Sequence, residues 1–294
     1  MENNLRKLII KNNIKGKKIT FKNNTRIIDT NDRRIVIKKR GNNNLDSLYA
    51  YLESREFNYF ARIIDQNEDY LIYEYIPEIE EPDEQKASDI INLLMLLHSK
   101  TSYYKEVDYD YYKKIFEDIN NHIAYLYVYY NDLIGIINKE VYMSPANYLI
   151  ARNISLIFRM LKYCHDNIEV WYDKVKNKKK VRVVNLHNNV KIEHFIKSKK
   201  PYLISWDNTK KDNPIYDLLS FYKNHYLDFD FSELFKQYEA GYPLLEDERL
   251  LLFILIAIPD KLVLDDNEYN LCIKISKYFD NLSKCYDLLS KYKK

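Results

Sequence analysis

The stretch that most constrains the fold runs from Val181 to Leu219, VRVVNLHNNVKIEHFIKSKKPYLISWDNTKKDNPIYDLL. Its opening run, Val181 to Leu186, is apolar and short, the pattern of a buried strand, and it ends in the polar turn His187-Asn188-Asn189. His194-Phe195-Ile196 and Tyr202-Leu203-Ile204 then flank Lys197 to Pro201, which reads as a hairpin with a polar tip. Such a hairpin returns His194 and Ser205 to the side of Asn189. Polar side chains from three short segments are thereby predicted to converge.

This layout resembles the aminoglycoside and choline kinase-like phosphotransferases, a branch of the protein-kinase fold that includes bacterial spore-coat kinase-like proteins. The family's catalytic loop reads His-Gly-Asp, four residues, then Asn; the matching positions here are His187, Asn188, Asn189 and His194. Its second metal-binding Asp lies in Ile-Asp-Trp, which here is Ile204-Ser205-Trp206. Pro214-Ile215-Tyr216-Asp217-Leu218 matches the family's Pro-x-Tyr-Asp-Leu, whose buried structural Asp is present as Asp217. The resemblance implies an α+β, two-lobed kinase-like fold, with a small antiparallel-sheet lobe over 1–77 and a large, mainly helical lobe over 78–294.

The replaced groups are the ones that would react. In phosphoryl transfer an Asp accepts the acceptor's hydroxyl proton, while a second Asp and an Asn hold the magnesium that bridges the phosphates. The carboxamide of Asn189 is not basic, so a contribution of roughly 10² to 10⁴ in rate loses its carrier. Neutral Ser205 and His194 are poor ligands for Mg²⁺, which prefers carboxylate and water. The expectation is a pseudokinase acting by nucleotide or protein-partner binding, with ATP as candidate ligand and Mg²⁺ doubtful. An alternative is an active ATP-dependent small-molecule phosphotransferase with a rearranged metal site, in which Asp207, two residues past Ser205 and on the same side if the strand continues, holds a cation together with a histidine; as a separate function, His187, His194 and Asp207 are candidates for a transition-metal site.

Upstream, Lys17 to Arg40 alternates polar and apolar residues between short polar turns and reads as three antiparallel strands. The third, Arg34-Ile35-Val36-Ile37-Lys38-Lys39, resembles the kinase strand whose Lys contacts ATP phosphates, with Lys38 at the matching position. The same lysine is also an ordinary edge-blunting residue. Asn23-Asn24 is the turn between the first two strands and Gly16 stands alone, so nothing resembles a Gly-rich phosphate loop. Leu45, Leu48, Tyr49 and Leu52 share one helical face, and Asp46 and Glu53 on that helix are both candidates to pair with the strand lysine. Asp69 to Ile76 reads as a strand running into the hinge, where backbone groups of Glu74, Tyr75 and Ile76 would face an adenine.

The remainder reads as helical. Gln85 to His98 carries a helical apolar stripe, Tyr103 to Ile137 a long aromatic-rich helix, and Ser144-Pro145 an N-cap followed by proline at the first helical position. The tyrosines of that aromatic segment read as core, because no basic residues interleave with them for base stacking. Lys174 to Arg182, KVKNKKKVR, reads as a solvated basic connection. A net charge of +3 gives no reason to expect nucleic acid or an acidic membrane as partner. Cys164, Cys272 and Cys285 are too few and too widely spaced for a disulfide framework or a metal site, which points to a reducing cytoplasm. The longest apolar run, Leu250 to Ile258, is far short of the about 20 residues that span a bilayer.

Overall fold

In the computed structural model all residues are described except 1, 15, 17, 23, 24, 42, 43, 293 and 294, so the Asn23-Asn24 turn lies outside the described residues. The chain divides into two compact units, Met1–Thr101 with His187–Lys210, and Ser102–Leu186 with Lys211–Lys294. The sequence-based boundary near residue 77 follows the last strand of the first sheet. The first unit continues past it to Thr101 and takes in the loop and hairpin.

In the first unit, β1 (Lys18–Lys22), β2 (Thr25–Asp29), β3 (Arg34–Lys39), β4 (Ile63–Gln66) and β5 (Tyr70–Glu74) form an antiparallel sheet in the order β1, β2, β3, β5, β4. Alternation decides what each face carries. Ile28, Ile35, Ile37, Tyr70 and Ile72 pack with Leu5 and Leu8 of α1 (Glu2–Lys11). Val36 and Lys38 have the opposite parity. The sequence reading named neither α1 nor β4. The helix is tied down by Asn4 donating to Asp69 at 2.9 Å and Lys11 to Asp65 at 2.8 Å, partners that lie 65 and 54 residues away. Gly16 has a packing reason, since a Cβ there would meet Ile28 Cγ2 at 2.9 Å.

Asn44 caps α2 (Leu45–Ser54), its side chain accepting from the Ser47 amide, and the helix buries Leu45, Tyr49 and Leu52. α3 (Asp83–Thr101) buries Ile90, Ile91, Leu94, Leu97 and His98, so that histidine is a packed core residue. The expected hairpin forms as β8 (Phe195–Lys197) and β9 (Pro201–Leu203), and Leu203 N donates to Tyr59 O at 2.8 Å.

The second unit is mainly helical: α4 (Tyr111–Ile137), α5 (Pro145–Val175), α6 (Ile215–His225), α7 (Phe231–Gly241), α8 (Glu246–Ala257) and α9 (Glu268–Tyr292). Ser144 caps α5 by accepting from the Asn147 amide, with Pro145 opening the helix as expected. The helix read from Tyr103 instead begins at Tyr111. Tyr103–Glu106 is strand β6, antiparallel to β7 (Lys180–Leu186), in a sheet ordered β10 (Lys210–Asp212), β7, β6. Aromatic and β-branched content fits either element, and the available strand edge of β7 decides it. The tyrosines of α4 also divide: Tyr130 is fully buried, whereas Tyr125 and Tyr127 are exposed, and Lys261 lies over the rings of Tyr125 and Tyr129.

The basic run is not merely solvated. Lys174 pairs with Glu246 at 2.6 Å, Lys178 with Asp247 at 2.7 Å, and Arg182 with the buried Glu248. Three consecutive acids at the start of α8 thus answer three bases spaced four apart. No helix among the described residues is long and apolar enough to cross a membrane.

Candidate functional site

β7 delivers the chain to His187 with Val184 and Leu186 fully buried, and the polar segment then turns under local hydrogen bonds. His187 is itself buried. Its Nε2–H donates to the Ile204 carbonyl at 2.8 Å, and its ring stands edge-on to Trp206 at 4.8 Å. The indole of Trp206 donates to Leu203 O at 2.9 Å. Asn188 takes φ 56°, a left-handed conformation that asparagine tolerates better than most residues and that suits the glycine of the motif it resembles. Its amide donates to the Asn208 carbonyl at 2.9 Å.

Within the first unit His194 meets the main chain of Asn189, and Ser205, next to Ile204, reaches Lys38. His194 closes a single 3₁₀ turn, Ile192–His194. Its Nδ1 lies 2.7 Å from the Asn189 carbonyl, and its own carbonyl accepts from Ile204 N at 2.9 Å. Because a carbonyl only accepts, Nδ1 carries the proton and Nε2 keeps its lone pair. Burial holds the His194 pKa below the usual histidine value, and the positive charges of Lys191 and Lys38 act in the same direction.

The strand does not continue to Asp207. It ends at Leu203; Ser205 sits at φ 66°, and Trp206–Asn208 is a 3₁₀ turn. Parity along a strand therefore does not relate Ser205 to Asp207. Both nevertheless reach Lys38 on β3: Ser205 Oγ lies 3.4 Å from the ammonium, and the Asp207 carboxylate forms an ion pair with it. Of the two acids considered as partners of Lys38, Asp46 instead accepts from Gln66, and Glu53 is exposed on α2.

A pocket opens beside this pair. Its wall among the described residues is Thr25, Val36, Lys38, Tyr49, Ala61, Tyr73, Glu74, Ile204 and Ser205. Of the three hinge residues, Glu74 lines it. Tyr75 instead lies under the guanidinium of Arg34 at 5.3 Å, and Ile76 is buried. Tyr49 stacks on Phe60 at 4.2 Å. Burial raises the pKa values of the Tyr49 and Tyr73 hydroxyls, and the negative charge of Asp207 adds to both shifts. The sequence reading placed Tyr49 on the buried face of α2 and Tyr73 in a strand, without their shared pocket. Parity along β5 is the signal that puts Tyr73 on the face of Val36 and Lys38.

The donor set does not suit a hard divalent cation. Where the resembled motif has two Asp and an Asn, this chain has an amide, a hydroxyl and an imidazole, and the Asp207 carboxylate is turned to Lys38. No group of three or more His, Cys, Asp or Glu among the described residues is placed to hold a metal. His187, His194 and Asp207 do not form such a group, and the Asp207 carboxylate is paired with the Lys38 ammonium. Asp217 is fully buried in the first turn of α6.

No protein-family model matches this sequence, and no curated protein matches it. Solved structures do. An aminoglycoside phosphotransferase from Alicyclobacillus acidocaldarius superposes with TM-score 0.65 at 10% identity, over 94% of this chain and 89% of that one. The AMP-bound spectinomycin phosphotransferase APH(9)-Ia follows with 0.56 at 14% identity, over 96% and 98%. Choline kinase LicA from Streptococcus pneumoniae gives 0.50 at 15% identity, over 95% and 99%. The chain has the protein-kinase-like fold of these phosphotransferases, an antiparallel sheet in its N-terminal region and helices in its C-terminal part.

Proposed function

We propose that this protein is a pseudokinase: a kinase-fold chain that binds a nucleotide-class ligand in the pocket beside Lys38, or a protein partner, without transferring a phosphoryl group. The observation that carries the reading is the state of Lys38, held by Asp207 and Ser205, next to a loop whose proton-accepting and metal-holding positions are Asn189, His194 and Ser205. The apolar pocket walls and the similarity of this chain to spectinomycin phosphotransferase, whose complexes hold AMP and ADP, support a nucleoside-bearing ligand. Glu74, Tyr75 and Ile76 are proposed to take the hinge position alongside it.

Thermal shift with ATP, with and without EDTA, tests the reading. An equal rise in melting temperature in both conditions supports metal-free binding, and no rise in either removes the nucleotide from the proposal.

A second reading, an active small-molecule phosphotransferase, is favoured by His194, a neutral imidazole with an available Nε2 lone pair at the catalytic loop. Incubation with labelled ATP, Mg²⁺ or Mn²⁺ and a panel of amino alcohols separates the two. Turnover abolished by Asp207→Ala would establish the second and overturn the first.

A further inference from the structure

We propose that the pocket beside Lys38 takes an uncharged purine nucleoside in preference to the corresponding nucleoside phosphates, because Asp207 already occupies the ammonium that a phosphate would meet. The inference rests on the nucleotide-site reading above and deepens it by naming the ligand class.

Charge bookkeeping at the wall leads there. Among the described residues lining the pocket, Lys38 is the one cation, and its ion pair with Asp207 cancels it. Glu74 adds a carboxylate, and Ser205, Thr25 and Tyr73 are uncharged. Arg40, the next residue but one along from Lys38, spends its guanidinium on the Asn67 carbonyl at 3.2 Å. In most phosphate sites a lysine, helix amino terminus or metal ion offsets the anion. Here a phosphate chain has to displace Asp207 from Lys38 or lie beside both negative charges. Burial raises the Tyr73 and Tyr49 hydroxyl pKa values, and the negative charge of Asp207 adds to both shifts. A metal ion would ordinarily repair such an imbalance, but the side chains at Asn189, His194 and Ser205 do not suit one.

The rest of the wall favours a flat, apolar ligand. Val36, Ala61 and Ile204 present aliphatic surface, and Tyr49 and Tyr73 present aromatic surface with a hydroxyl each. Their phenols interact with one another and stay protonated over the working pH range, so they add polarity to the wall without charge. A heteroaromatic base matches both properties.

The test is titration calorimetry of the unaltered protein with adenosine, AMP and ATP in EDTA at one ionic strength. Adenosine is expected to bind at least as tightly as ATP, with AMP between them. In Asp207→Asn, which frees Lys38 and removes one negative charge, the affinity for ATP relative to adenosine is expected to rise about tenfold. ATP binding tighter than adenosine in the unaltered protein, or an unchanged ratio in Asp207→Asn, overturns the inference. If none of the three ligands binds, the nucleotide-site reading itself falls and takes the inference with it. The first comparison needs no variant and so does not depend on Asp207→Asn folding.

Discussion

His194 Nδ1 and the main-chain oxygen of Asn189 are 2.7 Å apart, which fixes the imidazole as the Nδ1–H tautomer at the position where the resembled motif has asparagine. Imidazole ¹⁵N shifts at neutral pH are expected to show a protonated Nδ1 and an unprotonated Nε2. The depressed pKa also has a sign for stability. The unfolded chain binds this proton near pH 6.5 and the folded chain only at lower pH, so the contribution of His194 is complete above about 6.5 and is lost as pH falls through the folded value. Melting curves at pH 7.5 and 5.5 should therefore differ less in His194→Gln than in the unaltered protein; an equal difference would contradict the assignment.

Arg182 and Glu248 are 10% and 3% exposed in their side chains and join β7 to α8, with Glu248 also accepting from the Leu245 amide at 2.9 Å. Removing one partner leaves a buried charge alone. Glu248→Ala should destabilise by about 3 to 5 kcal/mol in denaturant unfolding, whereas Lys174→Ala, at the exposed end of the same series, should cost under about 1 kcal/mol.

Ser205 holds a left-handed backbone at φ 66° without being glycine. Its 3.4 Å contact with Lys38 is long for a hydrogen bond, so conformational strain is expected to dominate its substitutions. Ser205→Gly should be neutral or stabilise by up to about 1 kcal/mol, and Ser205→Val should destabilise by more than about 1 kcal/mol. Chemical denaturation of the two variants reads the difference directly.

Leu8 of α1 is 2% exposed within the cluster formed with Ile28, Ile35, Ile37 and Ile72. Leu8→Ala should cost about 2 to 5 kcal/mol, with faster hydrogen exchange in β2 and β3 as the local signature. An effect within about 0.5 kcal/mol would mean that the amino-terminal helix does not stabilise the sheet.

Local order was largely legible in the residues. The alternation of Ile35, Val36, Ile37 and Lys38 specifies a strand with two different faces, and Ser144-Pro145 specifies a helix start. Val181 to Leu186 specifies the strand, and the pattern after it specifies the hairpin of β8 and β9. Each of these follows from periods and turn chemistry acting over a few residues. β6 was not legible, because Tyr103-Tyr104 suits strand or helix and only the free edge of β7 chooses between them.

What tertiary structure alone decided is the pairing of charges. Lys38 meets Asp207 across 169 residues, and the 174–182 bases meet the acids that begin α8. An ion pair leaves no period in the sequence. It depends on which surfaces the apolar core brings into register, and a lysine's flexible stem lets it accept whichever carboxylate arrives there. The sequence alone determined which reactive oxygens were replaced. Folding determined that the remaining carboxylate, Asp207, faces the lysine.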